Sequence, residues 1–260
     1  MADFVLVRKT RNTISSVLHV IMNCLLGIGS VLLTCVSGSW IIGVIFVLVS
    51  KWRMFAVRPR FWLVNIKANL VDLIVGASFI FIAYCSGTSI LPVHIIVAVL
   101  YTLWLIILKP RSDDLSTRIQ ALVAVFLGTT ASVLLFASSD SIFIALSCFL
   151  VGYAAARHVL IQSDDENFSL VVLIAGLLSA EIAWLLHNWL IVYSFGTTGI
   201  IIPQLSIILT VFIFLFGQIY ASASNHDGKL KTEEILLPTI FSLAVIAMVV
   251  IWFSKPIFDV

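Results

Sequence analysis

Charge is what this sequence has least of. Only 11% of its 260 residues are Asp, Glu, Lys or Arg, while 61% are hydrophobic, and its mean hydropathy is +1.16. Soluble domains carry roughly 25% charged residues, so a water-soluble fold is excluded. Cysteine is also scarce: Cys24, Cys35, Cys85 and Cys148 show neither CxxC nor Cys–His spacing, which gives no pattern for a metal centre. Cys35 and Cys85 fall near the same face and form a candidate disulfide, the alternative being free thiols acting as small apolar residues. HExxH, GxSxG, phosphate-loop and dinucleotide glycine patterns are missing. No catalytic residue and no cofactor is therefore assigned, and the reading leans away from an enzyme. The last apolar run holds no Lys away from its ends, which excludes a retinal Schiff base there. A net charge of only +2, with the cations already needed for topology, excludes nucleic acid as a partner.

What is present is apolar length. Runs of about 20 residues, enough to cross a bilayer, recur along the chain. Backbone in lipid must satisfy its own hydrogen bonds, which leaves helices or a closed barrel, and the runs do not alternate with period two. The fold class is all-α: a polytopic helical membrane protein of about nine transmembrane helices. The spans fall at about 13–35, 39–55, 64–85, 89–108, 117–137, 141–160, 169–192, 200–222 and 235–253. The second is the weakest, because only Trp40 to Ser50 is cleanly apolar, and a re-entrant or tilted segment there is the alternative.

With the N-terminus inside, every basic residue except Lys255 lies on a cytoplasmic segment, which supports an N-in, C-out topology. The organisation is then a cytoplasmic segment at 1–12, one helical bundle at 13–254 and a short exterior tail at 255–260. The turns "VSGSW" (36–40), "CSGTS" (85–89), "ASSDS" (137–141) and "FGTTG" (195–199) make four hairpins plus a ninth helix. "CSGTSILP" (85–92) and "FGTTGIIIP" (195–203) are the closest internal match, from a duplication or from turns that imitate one another. The localisation that follows is integral to the plasma or inner membrane.

Three spans carry polar stripes. Ser16, His19, Asn23, Ser30 and Thr34 fall within about 80° of helix rotation. Asn65, Asn69, Asp72 and Gly76 form a second stripe, and Glu181, Trp184, Leu185 and Asn188 a third. Gly176, Ser179, Ala180, Ala183 and His187 lie nearly opposite Glu181, a small-residue face that admits another helix closely. A carboxylate does not sit comfortably in lipid, so this seventh span is expected at the centre of the bundle. Glu181 lies roughly 18 Å past Ser169, near mid-bilayer.

Glu181, Asp72, His19, Asn23, Asn69 and Asn188 are thus the candidate polar pathway or inter-helix network. As a pathway they point to a small-solute or proton- or cation-coupled permease-like transporter. As packing glue they point to a non-catalytic membrane scaffold or assembly subunit, with a membrane protein or a second copy as partner. His94 and His187 read as structural.

"KWRMFAVRPRFW" (51–62) interleaves Lys51, Arg53, Arg58 and Arg60 with aromatic rings, the pattern of a segment that meets anionic headgroups or a phosphate at the cytoplasmic face. "SDDLSTR" (112–118) and "SDDENF" (163–168) hold acidic pairs of the kind that bind Mg²⁺ against a pyrophosphate, and each also precedes a helix, where acids cap. Nine spans with the N-terminus inside resemble the general plan of the UbiA-type intramembrane prenyltransferases. That resemblance is one of topology: the family places an Asp-rich motif between its second and third spans, where this chain has "KWRMFAVRPRF" without an acid. It implies a third reading, an intramembrane enzyme acting on a phosphorylated lipid through the basic segment, Asp113 and Asp164.

Overall fold

The structure, a computed structural model, describes residues 2–161, 167–189, 191–195, 198–226 and 228–252. Among these the chain forms α1 (Ala2–Ser37), α2 (Trp40–Ser50), α3 (Trp62–Ala68), α4 (Leu70–Cys85) and α5 (Pro92–Leu103). It continues through α6 (Asp114–Phe136), α7 (Ser141–Leu160), α8 (Phe168–His187), β1 (Val192–Ser194), β2 (Ile201–Pro203), α9 (Gln204–Asn225) and α10 (Thr232–Ala247). Single π-helical turns extend α5 over Trp104–Leu108 and α10 over Met248–Trp252.

Six helical stretches are long and apolar enough to cross a membrane: Ser15–Ser37 of α1, then α6, α7, α8, α9 and Thr232–Ile251. The remaining expected spans come out differently. Pro59–Ala68 and Leu70–Cys85 are bent by 71° at Asn69, so 64–85 is not one straight helix. The break is made by the same asparagines that read as a stripe: Asn69 turns its amide onto the Asn65 carbonyl (2.9 Å) and ends α3. The second expected span yields only the eleven residues of α2, followed by a 3-10 turn. That helix is roughly 16 Å long against a hydrocarbon thickness of about 30 Å. α1 begins at Ala2, so 2–12 is helical and continuous with the first span. Residues 255–260 lie outside the described residues.

The architecture is all-α, with a small β-ribbon beside the helices. β1 and β2 pair antiparallel with Val192 opposite Pro203 and Tyr193 opposite Ile202. β-Branched and aromatic residues suit such a ribbon, and it shortens the seventh span to end at His187. The two matched turn sequences therefore differ in structure: 85–92 links α4 to α5, while the second ends in the strand β2, Ile201–Pro203. In the first, His94 donates from Nε2 to the Ala83 and Gly87 carbonyls (3.1 Å each), and its Nδ1 accepts from the Leu91 amide. Cys35 donates to the Thr88 carbonyl at 3.1 Å and all four cysteines are free, so the Cys35–Cys85 pair does not form.

Two cores flank α6. One joins α1, α2, α4 and α5 through Val31, Val47, Val75, Ile80 and Tyr101. The other joins α6 to α7, α8 and α9 through Val125, Ile144, Cys148, Val151, Ala183 and Leu209. α6 touches α4, α7 and α9, and it is the most enclosed of the long helices. Small and hydroxylated residues allow this: Thr130 and Ser206 hydrogen-bond between α6 and α9 at 2.9 Å, and Gly128 lets Val151 and Ile74 close on the helix. The central helix is thus α6, not the helix that carries Glu181. α8 packs on α7, and more lightly on α9, through one face only.

Candidate functional site

The most charged interior point is Asp72, in the first turn of α4. Its Oδ2 forms an ion pair with Lys51, just past α2, and a second with Lys109 at 2.9 Å. Its Oδ1 accepts from the Trp104 indole at 3.2 Å. Trp104 and Lys109 stand five residues apart, roughly 140° on an α-helix. The π-turn, closed by the Lys109 amide on the Trp104 carbonyl (2.9 Å), brings them to the same carboxylate. One turn beyond Asp72, Gly76 leaves room for the Tyr101 hydroxyl, which would lie 3.1 Å from an added Cβ. That hydroxyl is buried without a hydrogen-bond partner.

Lys51 is buried at 7% exposure, so it serves the ion pair and is withdrawn from any headgroup. Arg58 and Arg60 remain exposed, with the Arg60 guanidinium 4.6 Å from the centre of the Phe61 ring. The side chain of Arg53 lies outside the described residues, as do Asp164 and the acidic pair it belongs to. Asp113 caps α6, its carboxylate accepting from the Ser116 amide at 3.1 Å, and hydrogen bonding to the Ser116 side chain, then to this amide, holds its pKa below the usual range.

Asp72 adjoins a basic pocket of about 280 Å³ between α3–α4, the α5–α6 turn, α6 and α7. Lys67, Lys109, Arg111, Arg157 and His158 line it. Gln120 organises the wall, donating to the Leu108 (2.6 Å) and Arg111 (2.9 Å) carbonyls. With both amide protons so used, its Oε1 accepts from His158 Nε2 at 2.8 Å. Sequence reading found none of this grouping. The spacing of Trp104 and Lys109 makes sense only once the π-turn exists.

The expected pathway residues do not converge. His19 and Asn23 bond each other along α1 (2.6 Å), and His19 is exposed. Asn69 is used in the bend, and Asn188 is exposed, its amide 3.4 Å from the Trp184 carbonyl. Glu181 is exposed on the outer face of α8, while Val172, Ala175, Gly176, Ser179 and Ala183 are buried on the other. The outer face has its own order. Leu170, Ile174, Leu177, Glu181, Trp184 and Asn188, all exposed, repeat with alternating steps of four and three, the spacing of a seam that receives another helix.

Together, the apolar spans and this interior network are those of an α-helical integral membrane protein. No family model, curated protein or solved structure matches the chain.

Proposed function

We propose that this protein is a non-catalytic assembly subunit of the plasma or inner membrane, whose α8 outer face receives a helix of a different membrane protein. The observation that carries this reading is Glu181, exposed in the middle of a heptad-spaced seam. It stands roughly 9 Å inside the His187 end of α8, where an ionisable group facing lipid costs a few kcal/mol. A partner side chain that donates a hydrogen bond or carries positive charge removes that cost. A second copy related by a two-fold axis would set Glu181 against Glu181, and like charges at close range disfavour ionisation. A different partner with a complementary donor is therefore favoured, and Asn188 extends the polar contact along the seam.

A permease built on Glu181, Asp72 and His19 needs those groups along one path, whereas Asp72 is interior and Glu181 and His19 are exposed on different helices. In the assembly reading the bundle crosses nine times, its basic end is cytoplasmic, and Arg58 and Arg60 meet anionic headgroups there.

The test uses the full chain with a photo-crosslinking residue in place of Leu177, in native membranes. A single crosslinked membrane protein is expected, copurifying at fixed stoichiometry. It is retained in Glu181→Gln, which keeps a hydrogen-bonding side chain, and reduced about tenfold in Glu181→Leu, the loss of about 1.4 kcal/mol. An uncrosslinked monomer, or a crosslink indifferent to Glu181→Leu, would refute the reading.

A further inference from the structure

The basic pocket has no role in helix docking at α8, and it is built from groups that need an explanation of their own. Four permanent cations, Lys67, Lys109, Arg111 and Arg157, surround one small space with His158, and among the described residues no carboxylate lines it. Two acids outside the lining touch this charge: Asp72, reached through Lys109 and already shared with the buried Lys51, and Asp113, whose carboxylate caps α6 and acts on Arg111. Among the described lining residues positive charge is therefore in excess, inside a wall partly made of apolar Leu70, Val71 and Ala154. Near a protein surface, like charges several ångströms apart repel by kcal/mol amounts.

One donor in the wall marks what is missing. The Nε of Arg157 is buried and has no hydrogen-bond partner. Leaving a buried donor unmade is costly, more so on a charged group. The guanidinium is nevertheless held in place, 5.7 Å from the centre of the Phe168 ring. His158 is likewise fixed by Gln120. A pre-positioned arginine with free N–H groups, ringed by further cations, is the arrangement that takes an oxyanion through paired charge-assisted hydrogen bonds. The volume lies near the lower end of small-molecule sites, about 300 Å³, which suits a phosphate group better than a large solute.

We propose that this pocket binds a phosphate-bearing anion, with Arg157 and Arg111 as its principal contacts and Lys67 and Lys109 supplying field. Its position between spans at the basic end is where transmembrane proteins hold anionic lipid headgroups. A soluble phosphate compound offers the same chemistry.

The experiment is a thermal-unfolding titration of the full chain in a neutral detergent. The two probes are dioctanoyl phosphatidic acid and inorganic phosphate, with dioctanoyl phosphatidylcholine as the zwitterionic control. Wild type is expected to be stabilised by at least one of the two anionic probes and not by the control. Response to the lipid alone assigns a headgroup; response to inorganic phosphate as well assigns a soluble ligand. Arg111→Gln, on the exposed rim where folding is not at stake, should weaken the apparent affinity about tenfold, and Arg157→Gln at least as much. Arg58→Gln with Arg60→Gln, which removes exposed cations outside the pocket, should leave it within about twofold. No stabilisation of wild type by either anion would overturn the proposal. So would an equal loss in the Arg58/Arg60 variant, which would mean general surface attraction. Neither result bears on crosslinking at Leu177, so this site and the α8 seam stand or fall separately.

Discussion

At the scale of single residues, Asp72 is the hinge of the interior. It neutralises one buried cation and one half-exposed one, and the two differ in what their loss should do. Removing Asp72 strands Lys51 without a counter-charge in an apolar setting. Breaking a buried pair in this way costs about 3–5 kcal/mol, whereas replacing both partners with apolar groups is often neutral. Asp72→Asn should therefore lower the unfolding free energy in detergent by about that amount, while Asp72→Leu with Lys51→Met should recover most of it. Lys109→Met, with 39% of its side chain exposed in wild type, should cost no more than about 1 kcal/mol. A fully stable Asp72→Asn protein would show that the ion pair does not govern this end of the bundle. The sequence made Asp72 visible as an intramembrane acid, because carboxylates in apolar runs are rare. Its partners were hidden, since Lys51 looked like a headgroup anchor and Lys109 looked like a loop cation.

Among the elements, the pairing of α7 with α8 is the most extensive in the molecule. A Cβ on Gly152 would fall 2.1 Å from Ser179 Oγ and 3.2 Å from the Ala175 carbonyl. Ser179 cannot easily swing aside, because its hydroxyl bonds that same carbonyl at 2.7 Å. Gly152→Ala should therefore destabilise by about 1–3 kcal/mol through overpacking, against the helix preference of Ala, worth up to about 1 kcal/mol. Adding Ser179→Gly should return part of the loss, and a double-mutant cycle on thermal unfolding in detergent measures the coupling. Additive effects would mean that the helices separate to admit the methyl group. The small-residue face of α8 could be read from spacing alone, since Gly, Ser and Ala four apart have few other uses in a membrane helix. The surroundings of Glu181 could not. The inference that a carboxylate must be enclosed assumed that its own chain does the enclosing. The breaks at Asn69 and Trp104 were equally hidden: hydropathy runs straight through both, and only side-chain-to-backbone bonds and the π-turn redirect the chain.

On the scale of the whole molecule, the open issue is whether α2, only eleven residues long, carries the chain across. Its two ends lie against different landmarks. The end of α1 that precedes it meets the α4–α5 turn, where Cys35 bonds Thr88 and Gly38 approaches the same residue. Beyond its other end, Lys51 meets Asp72 at the start of α4. α4 itself spans sixteen residues between those landmarks, a rise of roughly 23 Å. The chain therefore passes from one end of the bundle to the other within α2 and its flanking turns. A short helix that crosses is accommodated by local bilayer thinning, and here Lys51 is buried against Asp72. Single cysteines placed in a background lacking Cys24, Cys35, Cys85 and Cys148 test this directly. With a membrane-impermeant thiol reagent on intact cells, Ser37→Cys and Ser138→Cys should label. Arg58→Cys and Ser112→Cys should label only after permeabilisation. All four positions are exposed in the structure, so lack of reaction reports sidedness rather than burial. Labelling of Ser37→Cys and Arg58→Cys from the same side would make α2 re-entrant and the crossings even in number. It would also place the basic residues that follow on the opposite face from those of α1, against the asymmetry that sets membrane orientation.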